Sequence, residues 1–442
     1  MDKIVKRDGR IVEFDREKIV FAVLRAFVAV GVRNREEAER VAGHVVSMLA
    51  QQAFEGTYPT VEEVQDLVER SLIERGQAKA AKAYIVYRYE HALKRDGKKS
   101  LSYSQENIPY KKLWEALSWA VDHECVTLAQ IGRVVAEGTF PDLVHAAESY
   151  YHAELDNAVE RIMERIAEIQ MLIIAGPSSS GKTTTTIKLK ERLNKAGVSL
   201  VALNVDNYFM DLDMHPQDTT GDYDYETPQA LDMQEINRDL RRLLEGEEIH
   251  VPRYDFRSGM RKSETDPLRL EQGDKVVIDS LHGLFPEMTA GIAEERKFKL
   301  HIETLSQTKD RTGRFVRWSD VRMLRRMVRD MQFRNYSPKM TVAHWHLVRR
   351  SELRYIISRL REAHVIVNSS LVYELPILKH RLGSLFAGFM EDFRGDPNRT
   401  DAYERTMRVA ELFEQIPVWE DEQAIPQDSL LREFIGGSVY SY

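Results

Sequence analysis

Apolar residues recur at intervals of three and four along the first 169 positions, the spacing of amphipathic helices. Ile19, Val20, Val23, Leu24 and Phe27 mark one face of a helix over 16–30, with Asp15 as its cap. A second helix is predicted over 35–50. Thr60 followed by Glu63 is a capping-box pair for a third over 61–75, and a fourth runs from 78 to 94. Ahead of these helices, 4–6 and 11–14 alternate in polarity around Asp8-Gly9, which predicts a short hairpin. The polar run from Arg95 to Ser100 marks a first boundary. Beyond it, 101–169 reads as helical throughout, with Trp114, Leu117 and Val121 on one face.

At 170 the period changes from helix to strand. An apolar run over 171–175 enters a glycine-containing loop, and a helix follows over 184–196. Further strands are predicted at 200–205, 275–278 and 365–368, ahead of more helices and a tail helix at 429–435 stopped by Gly436-Gly437. Strands alternating with helices predict an α/β unit whose parallel sheet is flanked by helices. The chain thus divides into a mainly helical domain over 1–95, a helical connecting region over 101–169, and an α/β domain over 170–442 with a helical C-terminal tail.

Charge and composition narrow the partners. With 63 Lys and Arg against 70 Asp and Glu, the 442 residues carry a formal charge of −7, so no nucleic-acid partner is expected. The one cysteine, Cys125, can neither close an intrachain disulfide nor anchor a cysteine-rich zinc site. No leader with a basic start and an apolar core opens the chain. The most apolar stretch, 21–32, is interrupted by Arg25 and falls short of the ~20 residues a membrane span needs. A cytoplasmic protein without a membrane partner is the expectation.

The strand at 171–175 runs straight into Gly176-Pro177-Ser178-Ser179-Ser180-Gly181-Lys182-Thr183, a Walker A pattern set between a strand and a helix. Such a loop curls its backbone N–H groups around phosphate, and the helix N-terminus adds positive potential. Gly176, Ser178, Ser179, Ser180, Gly181, Lys182, Thr183 and Thr184 are therefore the candidate ATP contacts, with Lys182 on the β/γ oxygens and Thr183 on Mg²⁺. Ligands of doubly wound sheets lie beyond the carboxyl ends of the strands, so Asp206 and Asp279, each following a predicted strand, point at this loop. Asp279 is placed to hold Mg²⁺, and Asp206 to orient an acceptor hydroxyl and take its proton. The alternative for either is a simple cap on the segment that follows.

A helix over 319–331 puts Arg322, Arg325, Arg326 and Arg329 on one face, with Met323, Leu324, Met327, Val328 and Met331 opposite. The cationic stripe predicts a lid over triphosphate; alone it would be a solvated face. His344-Trp345-His346 is assigned a structural or acceptor-pocket role rather than metal binding, and His282 a structural one, with phosphate contact as the alternative.

Five motifs in order make residues 170 to about 380 resemble the uridine kinase and phosphoribulokinase family of P-loop kinases. They are Gly176 to Thr184; Asp206-Asn207-Tyr208-Phe209; Tyr223-Asp224 with Thr227-Pro228-Gln229-Ala230-Leu231-Asp232; Pro252-Arg253-Tyr254-Asp255-Phe256; and Asp320 to Asp330. The resemblance implies ATP and Mg²⁺ as cofactors and Asp206 as the acceptor-activating carboxylate. It also implies that Asp224 and Tyr254 line the acceptor pocket, and that Arg322, Arg326 and Arg329 serve the lid and phosphates. Two positions depart from the family pattern. Gly259 stands where uridine kinases typically carry a base-reading histidine, and Ile278-Asp279-Ser280 stands where they often show Ile-Glu-Gly. The first leaves the acceptor open between nucleosides and sugars.

The N-terminal hundred residues resemble an ATP-cone, on Val5-Lys6-Arg7-Asp8-Gly9-Arg10, Phe14-Asp15, Lys18-Ile19 and Ala83-Tyr84-Ile85-Val86-Tyr87-Arg88. This implies Lys6, Arg7 and Lys18 as contacts for a regulatory ATP or dATP, and a homo-oligomer is expected. The leading reading is an ATP-dependent kinase for a hydroxyl on a small polar acceptor, regulated by its N-terminal domain. The other is a nucleotide-sensing P-loop protein with little kinase activity. Asp206 together with the arginine helix favours the enzyme.

Overall fold

In the computed structural model the chain forms two compact units, residues 1–106 and 107–442. The structure describes residues 3–5, 11–30, 32, 34–51, 58–77, 79–81, 83–84, 108–216, 223, 225–256, 258–334, 336–396 and 399–441.

In the first unit, strand β1 (Lys3–Val5) pairs antiparallel with β2 (Ile11–Glu13), Ile4 opposite Val12. Helices α1 (Arg16–Ala29), α2 (Arg35–Gln51) and α3 (Val61–Glu74) follow. The predicted caps are in place. Asp15 accepts the Glu17 N–H at 3.0 Å, and Thr60 and Glu63 exchange hydrogen bonds at 3.2 and 2.7 Å. Val20, Val23, Phe27, Val41, Val45 and Leu72 bury the apolar faces against one another. The turn at Asp8-Gly9, the end of the fourth predicted helix and the 95–100 break lie outside the described residues, as do Lys6 and Arg7. Lys18 is well exposed and sits 3.6 Å from Asp15.

The second unit is built on five parallel strands. β3 (Met171–Ala175) is central, with β9 (Lys275–Ser280) and then β4 (Leu200–Asn204) on one side, and β10 (Lys297–Glu303) and then β11 (Val365–Asn368) on the other. The chain order reverses direction beside β3, a topological switch point of the kind where α/β folds bind ligands. All five β3 residues are buried, as expected of a strand covered on both faces. Asn204 is level with Asp279, Ile174 with Asp279, and Ala175 with His301. The carboxyl ends of four strands therefore meet at one edge, where the glycine loop emerges.

Three helices, α4 (Tyr110–Asp122), α5 (Leu128–Ala136) and α6 (Phe140–Met163), pack onto this sheet. Phe140, Tyr151 and Leu155 share one apolar core with Leu172, Phe298 and Leu430, so the boundary read at 169/170 is not a gap in packing. On α4 the core-facing residues are Ala116 and Ala120, while Trp114 and Val121 are exposed. The helix seats through small side chains rather than through the face that carries Trp114 and Val121.

Helix α7 (Lys182–Lys195) leaves the glycine loop, and α8 (Met233–Leu244) covers the β4 side. Two small antiparallel pairs, β5 (Ile249–Val251) with β8 (Asp266–Leu268) and β6 (Tyr254–Asp255) with β7 (Met260–Arg261), project near it. Helices α9 (Trp318–Phe333), α10 (Pro338–Ser351), α11 (Glu374–Leu382), α12 (Phe386–Phe393), α13 (Thr400–Glu414) and α14 (Arg432–Ile435) complete the unit. Among the described residues no helix is long and apolar enough to cross a membrane.

Candidate active site

The loop after β3 requires its glycines. A Cβ at Gly176 would lie 2.5 Å from the Ile302 carbonyl oxygen, and Gly181 caps α7 at φ +88°. Ser179 adopts φ +58° without being glycine, a backbone cost of the kind concentrated at ligand sites. The Ser179 and Ser180 hydroxyls are buried with no hydrogen-bond partner among the described residues. Lys182 folds back to donate to the Pro177 carbonyl at 3.2 Å. Thr183 is exposed at the start of α7, whereas Thr184 is buried and donates both its N–H and its hydroxyl to Glu433, at 3.0 and 2.7 Å. Glu433 belongs to α14, near the chain's end, and nothing in the local sequence links it to the loop.

Asp206 lies in a short turn, Val205–Tyr208, held by the Asn204 side chain, which accepts the Asp206 N–H at 3.0 Å. Asp206 is exposed at the edge of the sheet, with charged groups around it. Desolvation by the surrounding protein raises its pKa, opposed by Lys182, Arg334 and Arg329 and reinforced by Glu226. Asp279 falls within β9 instead of after it, because the strand runs two residues past its predicted end. Burial pushes its carboxyl up to about 7, against the pull of Lys182, with Asp206 and Glu433 adding like charge. Thr186 donates to it at 3.4 Å.

This cleft suits Mg²⁺. Among the described residues no group of three His, Cys, Asp or Glu forms a cage. Mg²⁺ usually takes only one or two protein carboxylates beside substrate phosphates. The exposed Thr183 hydroxyl and the crowded Asp279 carboxylate match that requirement, since a divalent charge would relieve the repulsion around Asp279.

The arginine helix differs from its expected two-faced form. Arg322 and Arg325 are 1% and 0% exposed. Arg322 pairs with both oxygens of Glu352, lies 3.1 Å from Glu303, and donates to the Ser178 carbonyl at 3.0 Å. Arg325 pairs with Glu374 at 2.5 and 2.9 Å. Met323, Leu324, Met327 and Val328 are buried too, so α9 is covered on both faces up to Asp330, while Met331 and Phe333 at its end are exposed. Arg326 reaches the loop, bonding Ser178 Oγ at 3.1 Å and Glu226 at 2.6 Å, and Arg329 pairs with Asp330. Arg322 lies against the loop, its guanidinium paired to carboxylates and donating to the Ser178 carbonyl. Arg334, one residue past α9 and paired with Asp330 at 3.7 Å, adds positive charge that acts on Asp206 and was not singled out by sequence.

Beside Asp206 stands an aromatic cluster. Phe209 lies 5.5 Å from both Tyr254 and Phe256 and 5.6 Å from His215, and His215 lies 5.0 Å from Tyr225. The Tyr254 hydroxyl and His215 Nδ1 are buried without partners among the described residues, and burial pushes the Tyr254 phenol up to about 12. Gly259 sits at φ +69°, and a Cβ there would meet the Leu212 side chain at 2.9 Å, so this turn is built to carry no side chain. Arg261, also unforeseen, ties the turn to the Asp206 loop through the Phe209 and Tyr208 carbonyls at 2.7 and 3.0 Å. Asp224 lies outside the described residues. His282 is buried with its pKa pushed down to about 3 by desolvation, and it contacts the Glu226 carbonyl at 2.9 Å. His344 and His346 contact Tyr336 and the Ala343 carbonyl.

Comparison with known proteins agrees with this architecture. Residues 171–374 match the phosphoribulokinase / uridine kinase family, and residues 2–93 match the ATP cone domain. A uridine kinase from Deinococcus deserti is 30% identical over 195 residues, covering 44% of this chain and 84% of the relative. Uridine-cytidine kinase B from Dictyostelium discoideum is 27% identical, with 44% and 72% covered. A uridine kinase from Leuconostoc citreum is 30% identical over 161 residues, with 36% and 68% covered. A phosphate loop on the central strand, a parallel sheet that delivers carboxylates to it and these matches lead to one conclusion: the chain belongs to the phosphoribulokinase / uridine kinase family of P-loop kinases and carries an ATP-cone domain at its N-terminal end.

Proposed function

We propose that the chain transfers the γ-phosphoryl group of ATP to a hydroxyl of a small acceptor of the nucleoside class, under control of nucleotide bound at the N-terminal unit. The observation that carries this reading is Asp206, at the carboxyl end of β4 beside Phe209 of the aromatic cluster, where Lys182, Arg334 and Arg329 act on its charge. A carboxylate so placed can accept the hydroxyl proton, and its pKa is raised from the ordinary aspartate value, the direction that favours a base. The acceptor oxygen forms its bond to phosphorus as the bond to the β–γ bridging oxygen breaks. The hydroxyl proton passes to Asp206, and ADP leaves.

Lys182 meets the β/γ oxygens, and Arg326, held at the loop by Glu226, joins Arg329 in offsetting charge on the group in transfer. Thr183 and Asp279 would hold Mg²⁺, which when bound neutralises charge on the phosphates. Arg322 acts through the loop it supports and is a positioning residue. A cluster of tilted and edge-on rings with two unpartnered polar atoms suits a planar base better than a bare sugar, and the named activities of the relatives point the same way. With no side chain at Gly259, readout of that base falls to Tyr254 and His215.

A panel of nucleosides and sugars, scored by acceptor-dependent ADP release, tests the reading. A nucleoside is expected to stimulate release above every sugar. Stimulation by sugars alone would overturn the acceptor class, and none by either would overturn transfer.

A further inference from the structure

The donors at the start of a phosphate-loop helix ordinarily receive the α- and β-phosphates of a nucleotide. Here the Thr184 N–H and hydroxyl already hold a carboxylate, that of Glu433, at 3.0 and 2.7 Å. A carboxylate on that helix turn offers what a phosphate offers there: negative charge and an acceptor oxygen at the positive end of α7. A second contact comes from the same segment. A Cβ built on Gly181 would fall inside the Leu430 side chain, so the tail lies directly on the loop.

The tail is not a frayed end. Leu430, Leu431, Phe434 and Ile435 are all buried, Asp428 pairs with Lys188 at 2.8 Å, and Ser429 meets the Tyr373 hydroxyl at 2.9 Å. Glu433 is 7% exposed and also adds negative charge beside Asp279, where the triphosphate would lie.

We propose that the C-terminal segment over 425–436 is a built-in competitor for the nucleotide site, in which Glu433 holds the place of a nucleotide phosphate on Thr184 and must give way before ATP is seated. The proposal rests on the reading of the loop as the ATP site. Glu433 thereby sets ATP affinity below what the loop alone would reach. A charged acceptor forms the stronger hydrogen bonds, so neutralising it weakens the competitor while keeping its shape.

The test is calorimetric binding of ATP to the full-length chain, with Lys182→Ala identifying the component that belongs to the loop. Glu433→Gln is expected to tighten that component about tenfold or more, and Glu433→Asp, one methylene shorter, to tighten it less. Melting curves without nucleotide check that each variant is folded. Equal ATP affinity in wild type and Glu433→Gln, or weaker binding in the variant, would overturn the proposal and leave Glu433 as a helix cap. Loss of loop-dependent binding in both proteins would overturn the ATP-site reading along with it.

Discussion

Asp279 carries the sharpest consequence of crowding like charges into one cleft. Its carboxyl titrates at about 7 when folded, far above an ordinary aspartate near ~4, so the folded chain binds a proton there that the unfolded chain releases. The stability this contributes is complete below the ordinary value and is lost as pH rises through about 7. Without metal or nucleotide, the chain is therefore expected to lose melting temperature between pH 5.5 and 8. Asp279→Asn should reduce that loss, raise the pH 8 melting temperature and depress Mg²⁺-dependent turnover. Scanning calorimetry in EDTA checks this; an unchanged pH dependence in the variant would refute it. Lys182, Asp206 and Asp279 were legible in sequence because strand, loop and helix order fixes which residues reach the edge of a parallel sheet. Glu433 was not, since it stands 249 positions from Thr184 and only the packed tail brings them together.

At the scale of elements, α9 shows how an amphipathic pattern misleads when charges are buried in pairs. Sequence placed its arginines on one face and forecast open water or phosphate beyond them. The partners of the two deepest, Glu303, Glu352 and Glu374, come from β10, the segment after α10, and α11, too far along the chain for periodicity to detect. Arg325→Ala leaves Glu374 buried without its partner and should cost about 3–5 kcal/mol in urea unfolding. Arg326→Ala should instead lower kcat more than it raises KM for ATP, as expected of a group acting mainly in the transition state. Identical stability losses with identical kinetics in the two variants would contradict this division. Strand β10 escaped sequence detection for a related reason. Lys297, Lys299 and His301 interrupt its apolar run, yet all are buried, the two lysines pairing with Glu294 at 2.7 and 2.6 Å. The boundaries of β4 and β11, by contrast, came within a residue of those read from continuous apolar runs.

For the whole molecule, the division at residue 106 separates an ATP-cone unit from a kinase unit that has its own core and every loop residue named here. A chain starting at 107 should fold and transfer phosphate, but lose any response of rate or assembly to ATP or dATP. A coupling of about 1–3 kcal/mol would appear as a 5- to 150-fold change. Sedimentation and nucleotide stoichiometry on both chains check this, and one nucleotide per full-length chain would contradict it. Helices α4 to α6 stay with the kinase unit in this cut, as their shared core requires, although their sequence carries no chemistry of its own. The proposed transfer rests on Asp206 as the group that takes the acceptor proton. The most direct measurement is steady-state ADP release by the full chain and its Asp206→Asn variant with a saturating acceptor. Loss of the proton acceptor should lower kcat by roughly 10² or more while ATP binding is kept. Turnover of Asp206→Asn at the wild-type rate would contradict the account.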